Sequence, residues 1–277
     1  MNTDIFDFKR FSGYLAYDLK NVRNNYGLAL LILGCFPVIF YALWILFNNL
    51  WGDHWTSPLF GIRIGVFSLC LAILYISFPS QQYGKLTDRR SGADWLMLPA
   101  SRLEKFLSML IVSFVIVPCS FLVLYNLTDW ILSLCDPTYG KALVSFRIND
   151  LIAENVGLMI GGEPILRLSG NGFWLIWLGV VSNMSIFLLG ALCFRKHKIA
   201  GTFLCEIAVS IVFSTVISML AVSGSFDGIV DWLNHLDEET VIRNIGLKVN
   251  LFLWVPYLIC VGALLTAVWY RLRNLKH

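Results

Sequence analysis

The sequence predicts an all-α integral membrane protein, and three observations carry that prediction. Apolar residues make up 57% of the 277 residues and charged residues 14%, against roughly 25% charged in soluble domains. The mean hydropathy is +0.71. Apolar runs of about 20 residues recur, and each is long enough to cross a hydrocarbon core of roughly 30 Å as a helix. We expect residues 1–277 to form a single membrane domain.

Six apolar runs predict six transmembrane helices. The first run follows a highly charged stretch of 26 residues, unlike the short basic start of a cleaved signal peptide, so we expect it to remain in the mature protein. The connections before the fourth and sixth runs are too long for simple turns. The predicted spans cover residues 27–47, 60–79, 106–126, 172–194, 199–222 and 249–270.

The N-terminal segment 1–26 has a helical period. Its apolar residues recur at spacings of three and four, with charged residues elsewhere around the helix. This pattern predicts an interfacial amphipathic helix that lies flat on the inner membrane surface. Two roles are open: a simple anchor, or an elbow helix that also frames a partner's docking site. The apolar stripe consists of Phe8, Phe11, Leu15, Leu19 and Val22.

The distribution of charge predicts the orientation of the spans. With six crossings, 15 of the 21 Lys and Arg residues fall on the side that holds both termini. Because basic residues are retained in the cytoplasm, the N- and C-termini are expected there, in a prokaryotic inner (plasma) membrane. Contact with membrane lipids accounts for most of this basic surface, and no feature indicates nucleic-acid binding.

Polar residues inside the spans are candidates for a translocation pathway. Glu206 is the only acidic residue well inside an apolar run, and Ser210 and Ser214 follow it at intervals of four, as Thr202 precedes it. Asn183 adds a polar group in the fourth run. An ionised carboxylate in lipid is costly, so we expect Glu206 to face the bundle interior. Hydrogen bonding between helices is the competing interpretation.

No catalytic motif is visible, so the chain is not expected to be an enzyme. The nearest fragment to a phosphate-binding Walker A loop, residues 84–87, lacks the first glycine and the required hydroxyl. The histidines lie in loops or the tail, without a spacing typical of metal ligands, and no cofactor is predicted in this chain. If transport is driven by ATP, another chain must bind it.

The loop at 85–101 carries most of the functional information. It places large apolar side chains between basic residues, whereas a simple connection between spans needs only charge and turn residues. This pattern favours a docking surface for a cytoplasmic protein. Its apolar patch consists of Trp95, Leu96, Met97 and Leu98, and its polar rim of Arg89, Arg90, Asp94 and Arg102.

The order of residues in this loop resembles that of ABC-2 type ABC-transporter permeases. Basic residues precede Gly92, and Leu98-Pro99-Ala100-Ser101-Arg102 leads through Glu104-Lys105 into the third span. The resemblance implies a coupling helix between spans two and three that docks on a separate ATPase subunit, where ATP and Mg²⁺ bind. It also implies a second permease chain, as a homodimer or heterodimer. The alternative is a non-transporting membrane scaffold or sensor that holds a cytoplasmic protein.

Overall fold

The computed structural model describes residues 6–51, 57–87, 92, 95, 97–140, 142–143, 159–160, 163–164, 172–194, 196–222 and 246–273. These residues are almost entirely helical, which confirms the all-α part of the predicted class. A short antiparallel pair, β1 (Met159–Ile160) and β2 (Glu163–Pro164), was not predicted. The helices are α1 (Phe8–Gly34), α2 (Phe36–Leu50), α3 (Phe60–Gln82), α4 (Arg102–Ile111), α5 (Val117–Cys135), α6 (Gly172–Cys193), α7 (Lys198–Val222) and α8 (Gly246–Arg273).

Helical structure covers the six apolar runs, with interruptions in the first and the third. Within the described part, the helical stretches Phe60–Thr87 and Arg102–Cys135 are each long and apolar enough to cross a membrane. The pair Phe8–Gly34 and Phe36–Leu50, bent by 43°, provides a third crossing if both helices belong to one span. Apolar helices of spanning length therefore support a membrane protein, and the number six stays a prediction.

The first predicted span, 27–47, is divided between two helices. α1 ends at Gly34, and α2 begins with Pro37 in its first turn. A proline has no backbone N–H to donate and disfavours helical geometry in the residue before it, so the break falls just ahead of Pro37. A Cβ on Gly34 would lie 2.6 Å from Cβ of Leu124, so glycine allows α1 to approach α5 closely at this break.

The stretch Arg102–Cys135 is not uniformly α-helical. A π-helical turn at Val112–Ile116 separates α4 from α5, and Pro118 follows in the first turn of α5. The proline ring removes one hydrogen-bond donor and crowds the preceding turn, which the wider π turn accommodates. Pro118 therefore favours an interruption of the regular helix at this point.

The described core lies where α1, α3, α5 and α6 meet. Leu74, Phe78, Phe121 and Leu188 are fully buried there, and Tyr26 of α1 meets Phe78 edge to face with ring centroids 5.2 Å apart. α8 packs on α6 from the other side. These contacts bring the polar end of α1 beside the ends of α3 and α4.

The start of α7 packs against the end of α6. A Cβ on Gly190 would lie 1.9 Å from Oγ1 of the buried Thr202, so only glycine allows this approach. Small residues at such crossings let helix backbones come close in a membrane. Beyond Thr202, the side chains of α7 that the structure describes are largely exposed.

Candidate functional site

The end of the 85–101 loop is fixed by a capping box. Ser101 is the N-cap of α4, and its Oγ accepts a hydrogen bond from the backbone N–H of Glu104 at 3.2 Å. In return, Oε2 of Glu104 accepts from the backbone N–H of Ser101 at 2.8 Å. This reciprocal arrangement satisfies two backbone donors at the helix start. The capping box therefore ties the end of the loop to the first turn of α4.

Glu104 also joins α4 to the N-terminal helix. Its side chain is fully buried, and Nη2 of Arg10 lies 2.7 Å from Oε1. The backbone N–H of Asp7 donates to the same oxygen at 3.0 Å. Burial raises the pKa of this carboxyl, but the hydrogen bonds from Arg10, Asp7 and Ser101 outweigh it and bring the pKa to about 2. Glu104 is therefore ionised at neutral pH.

Trp95, predicted to belong to the apolar docking patch, is turned toward the protein. Its indole N–H donates to the hydroxyl of Tyr14 on α1 at 2.9 Å. Nζ of Lys105 donates to the carbonyl oxygen of Trp95 at 2.7 Å and lies 4.7 Å from the centroid of its ring. Burial lowers the pKa of Lys105 to about 8. Trp95 thus holds the loop against α1 and α4.

The neighbouring residues of the predicted docking surface point outward. Met97 is 86% exposed, and Leu98 is half-buried. Arg102 is exposed, and its Nη1 donates to the carbonyl oxygen of Arg273 in α8 at 3.0 Å. The structure therefore exposes Met97 on a loop anchored at Trp95, and Arg102 at the start of α4. The predicted docking residues Arg89, Arg90, Asp94 and Leu96 lie outside the described residues.

Asp18 is a buried acid on the same face of α1 as Tyr14, and its burial was not predicted from the sequence. Its Oδ2 accepts hydrogen bonds from the hydroxyl groups of Tyr83 at 3.1 Å and Ser108 at 2.9 Å, so it joins α1 to the end of α3 and to α4. Burial raises the pKa of this carboxyl. The residues of α1 that are buried on this face are Phe11, Tyr14, Asp18, Val22 and Tyr26.

The buried face of α1 differs from the predicted one. The predicted stripe includes Phe8, which is exposed, and omits Tyr14 and Asp18. The spacing that could have identified Asp18 is its position four residues after Tyr14 and four before Val22, on one helical face. Composition favoured the apolar stripe, because a carboxylate is an unusual member of a buried face.

A second ion pair, in which both residues are buried, lies at the opposite end of α3 and α5, where no site was predicted from the sequence. Nη2 of Arg63 lies 2.8 Å from both carboxylate oxygens of Asp129, and the two residues are 3% and 1% exposed. The hydroxyl of Tyr139 and the backbone N–H of Leu143 each donate to this carboxylate at 2.8 Å. A lone arginine near the start of an apolar run was the available signal, because a charge in lipid requires a partner.

The predicted pathway residues on α7 line an open groove. Glu206, Ser210 and Ser214 lie along a groove of about 620 Å³, with Glu206 half-buried and the two serines exposed. The expectation that Glu206 faces the interior of the bundle therefore does not describe the single chain. Asn183 is not part of this groove, and its Nδ2 donates to the carbonyl oxygen of Gly179 within its own helix at 2.8 Å.

Within the described residues, no group of three or more His, Cys, Asp or Glu side chains is arranged to hold a metal ion. The end of the 85–101 loop is instead held by the Arg10–Glu104 ion pair, the Ser101–Glu104 capping box and the contact of Lys105 with the ring of Trp95.

No protein-family model matches the chain, and neither a curated protein nor a solved structure matches it.

Proposed function

We propose that this chain is the membrane-spanning subunit of an ATP-driven ABC-2 type transporter, acting as an exporter with six spans. A separate cytoplasmic ATPase subunit would bind ATP and Mg²⁺, and a second permease chain would complete the transporter. The observation that carries the proposal is the position of Met97. It is 86% exposed on a loop whose flanks are held by Trp95 and by the capping box at Ser101.

This geometry suits the transmission of force from a docked ATPase. A push on Met97 would reach α4 through Ser101 and Glu104, and α1 through Arg10. The hydrogen bond from Tyr83 to Asp18 would connect the same movement to the end of α3. The first three predicted spans would therefore tilt together at their cytoplasmic ends. Rigid-body movement of this kind is a common means of opening a central cavity to the other side.

The groove on α7 is the proposed wall of the translocation pathway. Glu206, Ser210 and Ser214 lie open on one chain, and a second permease chain facing this groove would enclose it. Enclosure would remove the half-buried carboxylate from lipid, where an ionised acid is costly. The lining is mostly apolar with several hydroxyl groups, which suits hydrophobic or amphipathic substrates such as lipids, peptides or drugs. Asn183 remains a candidate pathway residue on the adjoining helix.

Substitution of Met97 tests the coupling surface. Met97→Asp places a charge in the proposed apolar contact and should release a co-purifying ATPase, because a buried anchor carries much of an interface's binding energy. Leu98→Asp should have a weaker effect, since Leu98 is half-buried. Leu59→Asp is the matched control and should retain the partner, because Leu59 is also strongly exposed but lies at the opposite, proposed outer end of α3.

Co-purification and ATP hydrolysis together distinguish the proposal from a membrane scaffold. A transporter subunit should lose substrate-stimulated ATP hydrolysis when Met97→Asp releases its partner. A scaffold would release a protein that hydrolyses no ATP. Retention of the partner by Met97→Asp, with the complex otherwise intact, would contradict docking at this loop.

A further inference from the structure

A second groove lies between the end of α3 and the start of α7. It has a volume of about 770 Å³, and Ser80 and Gln81 line it from α3. His197 and Lys198 line it from the turn that precedes and begins α7, and Phe203 continues the wall along α7. One end of this groove is therefore polar and basic, and the other is apolar.

The basic end belongs to the short turn between α6 and α7. The sequence there reads Arg195-Lys196-His197-Lys198. Lys196 and His197 are exposed, and Nζ of Lys198 donates to the carbonyl oxygen of Gly84 at 2.6 Å. Lys198 thus ties this turn to the residues just after α3. His197 lines the groove, and the exposed Lys196 directly precedes it in the chain.

The apolar end consists of large side chains at the spacing of one helical turn. Ile199, Phe203 and Leu204 line the groove and are 42%, 48% and 68% exposed. In the proposed six-span arrangement, this wall descends from the cytoplasmic surface into the hydrocarbon core. A groove with a basic rim at that surface and an apolar wall below it matches the two parts of a phospholipid.

We propose that this groove binds an anionic phospholipid. Its phosphate would contact Lys196 and His197, and the side-chain amide of Gln81 would donate to an ester carbonyl group. One acyl chain would lie along Phe203 and Leu204. A soluble anion would leave the apolar wall uncovered, and a zwitterionic headgroup would bring its own cation toward the basic turn. The inference depends on the membrane position of α7 in the proposed arrangement, and not on an ATPase partner.

A lipid in this position would contact two helices at once. Gln81 lies at the end of α3, and Phe203 lies in the second turn of α7. The Lys198–Gly84 hydrogen bond joins the start of α7 to the residues just after α3. The bound lipid would therefore brace the first turns of α7 against α3, which connects directly to the coupling loop.

Lipid retention by the purified full-length chain tests the site. The protein is incubated with vesicles of equal parts phosphatidylglycerol and phosphatidylcholine, extracted, and analysed by native mass spectrometry for retained lipid. We expect phosphatidylglycerol to be retained preferentially. Lys196→Gln should weaken its retention about fivefold, which is the effect of one basic residue near an anionic headgroup. Lys20→Gln, on the exposed face of α1, is the matched charge control and should leave retention unchanged.

A filling variant separates the groove from the general basic surface. Ala200 lines the groove and is exposed, so Ala200→Trp should occupy it and abolish preferential retention. Ala208→Trp, at an exposed position of α7 away from the groove, should retain the lipid. Equal retention by the two tryptophan variants, equal retention of both lipids, or displacement of the lipid by millimolar inorganic phosphate would each overturn the proposal. None of these results depends on a co-purifying ATPase, so the proposed function is tested separately.

Discussion

Arg10 and Glu104 form an ion pair with 2.7 Å between Nη2 and Oε1, although 94 positions separate them in the sequence. Glu104 is fully buried, and Arg10 is about one-third exposed. The pair therefore joins the start of the N-terminal helix to the start of the stretch Arg102–Cys135. The same carboxylate caps α4, so one side chain connects the loop, the helix it enters and the helix at the N-terminus.

Removing the cation should destabilise the protein. Arg10→Met leaves the Glu104 carboxylate buried without its charged partner, so the unfolding temperature should fall. The fall should be smaller than for the buried Arg63–Asp129 pair, because Arg10 is partly exposed. Thermal unfolding in detergent measures the change. Lys9→Met, at the exposed neighbouring position, is the control and should unfold at the wild-type temperature.

The stability that Glu104 contributes should depend on pH. The pKa of this carboxyl is about 2 in the folded protein, below its ordinary value of 4.5. A lowered pKa stabilises the fold above pH 4.5, and this contribution is lost as pH falls from 4.5 toward 2. The difference in unfolding temperature between wild type and Glu104→Gln should therefore shrink across this range. A constant difference from pH 7 to pH 3 would contradict an ionised, paired Glu104.

The Arg63–Asp129 pair should behave as a buried unit. Asp129→Asn removes the charge that Arg63 requires, and we expect a loss of about 3–5 kcal/mol in the free energy of unfolding. In the double variant Arg63→Met and Asp129→Leu neither charge is left alone, so part of the stability should return. A double-mutant cycle built from the single variants Arg63→Met and Asp129→Leu and this double variant measures the coupling. Additive losses from the two single variants would show that the pair contributes no coupling energy.

Glu206 should matter for transport rather than for folding. Its carboxylate lines an open groove, so Glu206→Gln should leave assembly and thermal stability unchanged. If the residue carries a proton or contacts a cationic substrate, transport in reconstituted vesicles should be lost. Ser218→Ala is the control, because it changes a residue that lines the same groove further along α7 without removing a carboxylate, and it should leave transport intact. Normal transport by the Gln variant across a range of pH would remove Glu206 from the mechanism.

Selective labelling tests the orientation of the spans. Cys135 is exposed at the end of α5, on the predicted outer side. In a variant whose other six cysteines are replaced by alanine, it should react with a membrane-impermeant maleimide in intact cells. Lys196→Cys, in a variant without native cysteines, should react only after permeabilisation. Labelling of position 196 in intact cells would reverse the predicted topology.

The positions of the helices could be predicted from the apolar runs, because a long apolar run in a membrane protein forms a helix whatever its neighbours are. The interruptions within these helices were harder to predict. The sequence shows Pro37 and Pro118, but whether a proline produces a break between helices, as at Cys35, or a π turn, as at Val112–Ile116, depends on what packs against it. In the first case that neighbour is Leu124, which lies directly against Gly34.

The candidate site could be predicted in part. The 85–101 loop was predicted as a docking surface because apolar side chains stood between charged ones; Met97 of this loop is exposed, and docking stays a prediction. The inward position of Trp95 and the Arg10–Glu104 pair could not be inferred. Both depend on how α1 is rotated about its axis. Composition does not specify this rotation, because lipid-facing and protein-facing surfaces are about equally apolar in a membrane helix.

The π turn at Val112–Ile116 determines the direction in which Asp129 points relative to Glu104 about the helix axis. A π turn is an α-helix with one inserted residue, and each residue of an α-helix turns the chain by about 100°. Deleting one residue from this turn would restore a regular helix and rotate α5 relative to α4. With Glu104 still held by Arg10, Asp129 would face away from Arg63. The extra residue thus acts as a spacer that lets one helix satisfy fixed partners at both of its ends.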